Sequence, residues 1–457
     1  MSTYATLSVN TRYIEICKNY INIPLLSIYQ KSDLRFTKML LKDSPLEEKY
    51  HYLEPDEQVA ILQCICTVDE AKDRLELMGY TLDVARKVFN SGVKKVIELY
   101  KKRIDNEEKY EEVSFVRRVN GNNNDILRMS EILKFLPTLT FDEWIEGYIK
   151  IQNEGLHLFD DNFSDYPVLM RYMLFEDYHG FPNNNIRVYL RVILELCEDN
   201  ETLDYDFTDM VNSDDWDFQS DEMKRYLEDL IVSNYDASQR IIVLTEGKSD
   251  IWILERSLKL FCPHLSSYFR FLDFEGVNME GGAGRLASTT KAFAGVGIVN
   301  KVIALFDNDT AAQEASELLR AIDLPKNIIY LHYPPIEIAK MYPTIGPTGI
   351  ESMDINGLAC SIELYLGEDC LRDEDGNLIP IQWKGYNRNL EKYQGEILKK
   401  SAVQKKFRQK LSACESNRAL ISNYDWSGVR LIINALCDAF QEKIERDILN
   451  EHDLTFH

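Results

Sequence analysis

Ile241-Ile242-Val243-Leu244-Thr245-Glu246-Gly247-Lys248-Ser249-Asp250 is an apolar run of strand length that stops on carboxylates, and a helical stretch follows it. The order recurs in Val302-Ile303-Ala304-Leu305-Phe306-Asp307-Asn308-Asp309. Working outward, helix Ile251–Leu260, strand Phe269–Phe274, a helix near Arg285–Ala294, helix Ala311–Ala321 and strand Asn327–Leu331 complete an alternating pattern from Arg240 to about Leu366. Such alternation predicts a parallel sheet with right-handed crossovers. Open sheets of this kind build their sites at the carboxyl ends of the strands. Glu246, Asp250, Asp307 and Asp309 all fall there, and hard oxygen ligands suit Mg²⁺ or Mn²⁺. The plainer alternative has Asp250 and Asp309 capping two helices and Glu246 solvated.

The two clusters, about sixty residues apart, resemble the Toprim domain of topoisomerases, bacterial primases and OLD-type nucleases. That signature is a strand ending in Glu-Gly, often with an Asp three residues on, and a second strand ending in Asp-x-Asp. Glu246-Gly247 with Asp250 matches the first part, and Asp307 with Asp309 the second. The resemblance implies that Asp307 and Asp309 are the principal Mg²⁺ ligands. Glu246 would be a ligand and the group that orients or deprotonates water. In OLD-type enzymes a Glu in an Ile-Glu-x-Tyr-Leu-like helix completes a second metal position with the first-motif Asp. Glu363, in Ile362-Glu363-Leu364-Tyr365-Leu366, matches it, with Glu351 in reserve. The same enzymes use a Lys near the end of the module, for which Lys399 is chosen over its neighbour Lys400. Glu246, Asp307, Asp309 and Lys399 are thus the expected catalytic set. Two divalent ions about 4 Å apart would serve nucleophile and leaving oxygen. Like charges so clustered raise one another's pKa, so the motif itself predicts dependence on a divalent ion.

The opening Ser2-Thr3-Tyr4-Ala5-Thr6-Leu7-Ser8-Val9-Asn10, and Arg74-Leu75-Glu76-Leu77-Met78-Gly79-Tyr80-Thr81-Leu82, resemble the HEPN/Toprim-associated N-terminal domain over roughly the first hundred residues. That domain is fused ahead of Toprim modules in bacterial proteins associated with antiphage defence. HEPN ribonucleases carry an Arg followed four to six residues later by His. Here Arg171 and His179 are too far apart, and His51 and His157 have no Arg at the right distance upstream. His179 reads as a turn or core residue.

Residues 1–235 otherwise read as mostly helical after the β-like start Tyr4–Val9. One helix is expected to begin at Asp56–Gln63. Ala71–Met78 and Leu82–Phe89 are separated by Gly79-Tyr80-Thr81, with Gly ending one helix and Thr81 capping the next. Val93–Tyr100 and Ile186–Cys197 are further helical stretches, and Asn120-Gly121-Asn122-Asn123-Asn124 is a loop. The acidic run from Glu198 to Asp229, with Asp204-Tyr205-Asp206 and Asp214-Asp215-Trp216-Asp217, reads as a solvated linker. No internal repeat is visible.

At 457 residues the chain accommodates several domains. The fold class expected is α+β multidomain. A mostly helical domain occupies 1–235, an α/β Toprim domain 236–370 and a helical extension 371–457. Hydrophobic content of 45% excludes a disordered chain. The net charge of −23 excludes a broadly basic surface but leaves local basic patches open. One such stripe is Lys405-Lys406-Phe407-Arg408-Gln409-Lys410, equally readable as a solvated helix face. The nine cysteines are scattered, with Cys64 and Cys66 the one close pair. A zinc ribbon needs pairs at both ends of a loop, so buried thiols are expected. The loop Gly276–Gly284 has no Lys-Ser/Thr to make it a Walker motif. No apolar run approaches a membrane span, and Met1-Ser2-Thr3-Tyr4 lacks signal-peptide order, so the expected address is the cytoplasm.

Three functions follow. The first is a Mg²⁺- or Mn²⁺-dependent nuclease acting on DNA or RNA in bacterial antiphage defence. The second is a non-catalytic metal- and nucleic-acid-binding or scaffold protein. The third is an RNase directed at tRNA. Homo-oligomerisation and an ATPase partner stay open.

Overall fold

A computed structural model describes residues 3–48, 54–111, 130–156, 162–213, 220–234, 240–272, 282–441 and 448. The chain forms two compact units, Met1–Asn234 with Gln441–His457, and Tyr235–Phe440. The fold is mixed α and β, with a parallel sheet in the second unit.

The first unit is built on five antiparallel strands, β1 (Tyr4–Val9), β2 (Arg12–Lys18), β3 (Leu34–Leu40), β4 (Gln58–Thr67) and β5 (Thr202–Asp206), in the order β2-β1-β5-β4-β3. This sheet overturns two expectations. The helix expected from Asp56 is strand β4. Leu62, Cys64 and Cys66 are buried while Ile61, Gln63 and Ile65 are only half-buried, a period of two. The β-branched Val59, Ile61 and Ile65 suit that pleat. The acidic run is likewise not simply a linker. Leu203 and Tyr205 alternate with Asp204 and Asp206, which makes Thr202–Asp206 the central strand. Its Asp214–Asp217 stretch lies outside the described residues.

Around this sheet pack helices α1 (Val68–Leu77), α2 (Leu82–Glu111), α3 (Phe141–Glu154), α4 (Val168–Phe175), α5 (Ile186–Glu195) and α6 (Ser220–Asn234). Phe89, Trp144, Tyr189 and Tyr205 are among the large side chains of its core. The turn between α1 and α2 forms as expected. Gly79 has φ of 87°, and Thr81 Oγ1 accepts from Val84 N at 3.2 Å. The two helical stretches at 82–89 and 93–100 are one helix. Gly92 is required within it, since a Cβ would stand 2.0 Å from the carbonyl oxygen of Pro182. The Asn120–Asn124 loop, His51 and His157 lie outside the described residues.

In the second unit β6 (Ile241–Leu244), α7 (Lys248–Phe261), β7 (Phe269–Phe271), α8 (Ala283–Val296) and β8 (Val302–Phe306) follow in order. Next come β9 (Asn308–Asp309), α9 (Thr310–Arg320) and β10 (Ile328–His332). The sheet order is β10-β8-β6-β7, all parallel. Every residue of β8 is buried, as expected of a strand covered on both faces. Residues 273–281, most of the Gly-rich loop, are outside the described set.

A second sheet of β11 (Tyr342–Gly346), β12 (Gly349–Met353), β14 (Ile381–Asn387) and β15 (Lys392–Ile397) follows, while β13 (Ala359–Cys360) pairs with β9. The β14–β15 hairpin stands where the sequence suggested only helix. Its strands are largely solvated, so their apolar alternation is weak. Helices α10 (Lys400–Ser416) and α11 (Ser427–Asp438) come after it.

Candidate carboxylate site

Strands β6 and β8 are parallel neighbours with Leu244 opposite Ala304. Glu246 and Asp307 therefore emerge at the same edge. The Asp307 amide donates to Glu246 Oε1 at 3.0 Å, tying the two strand ends together. Asp250 is buried in the first turn of α7, where it accepts from Ser249 Oγ at 3.2 Å. Asp309 is the N-cap of α9, its Oδ1 accepting from Ala312 N at 2.8 Å. The helix-capping alternative thus accounts for part of what Asp309 does and for nothing at Glu246.

Burial dominates the electrostatics. It pushes Glu246 up to about 8, with Asp309 and Asp250 adding to the rise and the Asp307 amide and Lys400 opposing it. It raises Asp250 to about 6, helped by Glu363 and opposed by Lys400. Asp307 is driven well above the carboxylate range, first by burial and then by Glu246, Asp250, Asp309 and Glu363. Asp309 is raised by burial against the amides of Ala312 and Ala311. These groups cannot all ionise without a cation. Asp307 Oδ1 is buried with no hydrogen-bond partner among the described residues. An orphaned carboxyl oxygen amid oxygen-only donors fits Mg²⁺ or Mn²⁺. Among the described residues no three ligating side chains are already gathered as a metal cage.

Glu363 sits in the 3₁₀ turn Ile362–Tyr365, fully buried. Its Oε1 accepts from Gln404 Nε2 at 2.7 Å and lies 3.2 Å from Lys400 Nζ, and its Oε2 accepts from Ser361 Oγ at 2.6 Å. The cation facing it is therefore Lys400. Lys399 is the exposed N-cap of α10, in the left-handed region with φ of 52°. Burial disfavours the Lys400 ammonium, but Glu363, Asp307 and Asp250 together hold its pKa above the usual value. Glu351 is exposed on β12, bonded to Thr348 Oγ1, and is not among the carboxylates acting on this group.

Four participants escaped the sequence reading. Gln404 lies one helical turn from Lys400, and Ser361 two residues before Glu363. His332 donates from Nδ1 to the Asp307 carbonyl at 2.9 Å and pairs through Nε2 with Ser316 Oγ at 3.1 Å. The buried Tyr333 hydroxyl has no partner among the described residues, and burial, then Asp250, Asp307, Glu246 and Glu363, push it well up. Spacing signals the first two; nothing in the sequence signals His332 or Tyr333.

Among the described residues of the first unit, Arg171 and His179 form no comparable centre. Arg171 bonds the Tyr166 carbonyl and Glu131. His179 pairs with Tyr189 at 2.8 Å, and burial lowers it to about 4, so it is neutral at neutral pH.

The family model for HEPN/Toprim N-terminal domain 1 matches residues 1–269, more than half of the chain, which therefore belongs to that family. The match extends well past the first hundred residues, through β6 and the first acidic motif. Membership suggests a nuclease-like role and with it nucleic-acid binding. No curated protein and no solved structure matches the chain. Among the described residues no helix is long and apolar enough to cross a membrane.

Proposed function

We propose that the chain hydrolyses phosphodiester bonds in DNA or RNA with a divalent cation, Mg²⁺ or Mn²⁺, held by Glu246, Asp250, Asp307 and Asp309. The observation that carries this reading is the buried, unpartnered Oδ1 of Asp307 beside three other carboxylates raised by burial. When bound, the cation supplies charge neutralisation on the phosphate and a more acidic water. Glu246, fixed on one oxygen by the Asp307 amide, orients that water and takes its proton. His332 and the β9–β13 pairing hold the Asp307–Asp309 segment still. Lys400 places an ammonium beside the carboxylates, where it stabilises phosphate oxygen. An effector role in bacterial antiphage defence rests on the family resemblance.

Local basic groups support a nucleic-acid substrate despite the net charge of −23. The guanidinium carbons of Arg256 and Arg408 lie 5.1 and 5.2 Å from the Trp252 ring centre, on helices whose first turns carry Asp250 and Lys400, and of the two Arg256 is already engaged by both oxygens of Glu415. Lys405 and Arg408 are exposed. The rest of that stripe turns inward: Lys410 is buried on Leu366 O and Asp369, and Lys406 bonds the Arg372 carbonyl.

The non-catalytic reading draws on one observation, the lack of a ready-made three-ligand group among the described residues. Incubating the protein with plasmid DNA, mRNA and tRNA in Mg²⁺ or Mn²⁺ separates the readings. Cleavage abolished by Glu246→Ala and by Asp307→Ala is the expected result, and the preferred substrate identifies DNase, general RNase or tRNase. Intact substrates throughout, with nucleic acid still bound, favour the binding protein.

A further inference from the structure

Glu363 and Asp307 are opposite cases. Asp307 keeps a buried oxygen that no group satisfies. Glu363 is equally buried, yet Gln404, Lys400 and Ser361 engage both of its oxygens, one of them through a full positive charge. Three donors fill three of a carboxylate's roughly four lone-pair sites. A cation seeking Glu363 would find one lone-pair site left, on the oxygen that Ser361 already engages, and would have to sit beside an ammonium already in place. Gln404 and Lys400, four residues apart on one face of α10, grip the same oxygen and lock the first turn of that helix onto the 3₁₀ turn. Lys400 remains half exposed, at 50% for its side chain, so its ammonium stands where the dry carboxylates meet solvent.

We infer that Glu363 is a positioning residue rather than a metal ligand: it aims Lys400 at the incoming phosphate and leaves the cation to Glu246, Asp250, Asp307 and Asp309. The inference rests on the metal-dependent reading above. It assigns the second-metal carboxylate of the family pattern a different task in this chain, with a fixed ammonium beside the four remaining ligands.

The test is Mn²⁺ binding, followed by calorimetry and by electron paramagnetic resonance, on the full chain. The variants are Glu363→Gln/Lys400→Met, Glu363→Gln and Lys400→Met alone, and Asp307→Asn as the ligand control. The double variant removes the buried carboxylate and its half-exposed ammonium together, so that neither charge is left unpaired. Its cooperative melting is checked first, and if it does not fold, Glu363→Gln alone is read by the same criterion. The expected result is wild-type stoichiometry and a Kd changed by less than about tenfold, the least that losing even a ligand's own partner typically costs. Asp307→Asn loses binding. In cleavage, Lys400→Met, Glu363→Gln and the double variant lower kcat alike, because each disables the same ammonium. A Kd raised tenfold or more, a lost equivalent of Mn²⁺, or a kcat loss in Glu363→Gln well beyond that in Lys400→Met overturns the inference alone. No Mn²⁺ binding by the wild type overturns the metal reading and the inference with it.

Discussion

The backbone amide of Asp307 donates to the side chain of Glu246 at 3.0 Å, while the carboxyl of Asp307 keeps one buried oxygen with no hydrogen-bond partner. One strand end is thus satisfied by the other, and the unmet charge is concentrated on Asp307.

Metal-free protein should lose stability as pH rises. Glu246 and Asp307 titrate above their unfolded values, so the folded chain holds more protons through that window, which for Glu246 runs from the ordinary carboxylate range to about 8. Stability is full below the window and falls through it. Thermal melting from pH 5 to 8 reads the slope, and Asp307→Asn should flatten it and raise Tm at pH 8. A saturating divalent ion at a hundredfold its Kd should restore about 2.7 kcal/mol to wild type and nothing to Asp307→Asn.

Asp204 on β5 predicts a similar slope in the other unit. Burial, then Asp206, raises it to about 7, and its Oδ1 is buried without a partner among the described residues. Asp204→Asn mimics the protonated form. It should be neutral at pH 5 and stabilising at pH 8 by on the order of 1 kcal/mol, the scale of a poorly satisfied buried polar group. Denaturant melts at the two pH values check this.

Arg74 is the structural centre of the second family motif. It is 1% exposed, and its Nη1 donates to Asp33 at 2.7 Å and to the Ile28 carbonyl at 2.9 Å. Arg74→Ala strands a buried carboxylate and should cost about 3–5 kcal/mol. Chemical denaturation measures it; a loss under about 1 kcal/mol, the median for a surface pair, would show the pair to be solvated.

Lys399 and Lys400 should separate cleanly. Lys399→Ala is expected to cleave like wild type. Lys400→Ala should lose about 10²–10³ in kcat, the scale of one preorganised group on developing charge. Single-turnover cleavage at saturating substrate compares them.

How much of this was legible differs by region. The parallel sheet and its acidic edge were readable because β6 and β8 are short, wholly apolar runs punctuated by carboxylates, a pattern set by local sequence. Strand β4 was misread because Val59-Ala60-Ile61-Leu62 is apolar without a break, and only its partner strands decide between periods of two and 3.6. Strand β5 was hidden by charge, since Asp204 and Asp206 occupy the less buried face while Leu203 and Tyr205 carry the core. The choice of Lys400 over Lys399 depends on the left-handed turn at Lys399, a backbone detail that composition does not announce. His332 and Tyr333 enter the site through the parallel register of β10 on β8, which no spacing encodes.

Anomalous diffraction from crystals soaked in Mn²⁺ tests the central claim most directly. The expected result is a peak ligated by Asp307 Oδ1 with oxygens of Glu246 and Asp309 at the carboxyl edge of the parallel sheet. Full Mn²⁺ occupancy elsewhere with that edge empty, or carboxylates that stay apart at saturating Mn²⁺, would contradict it.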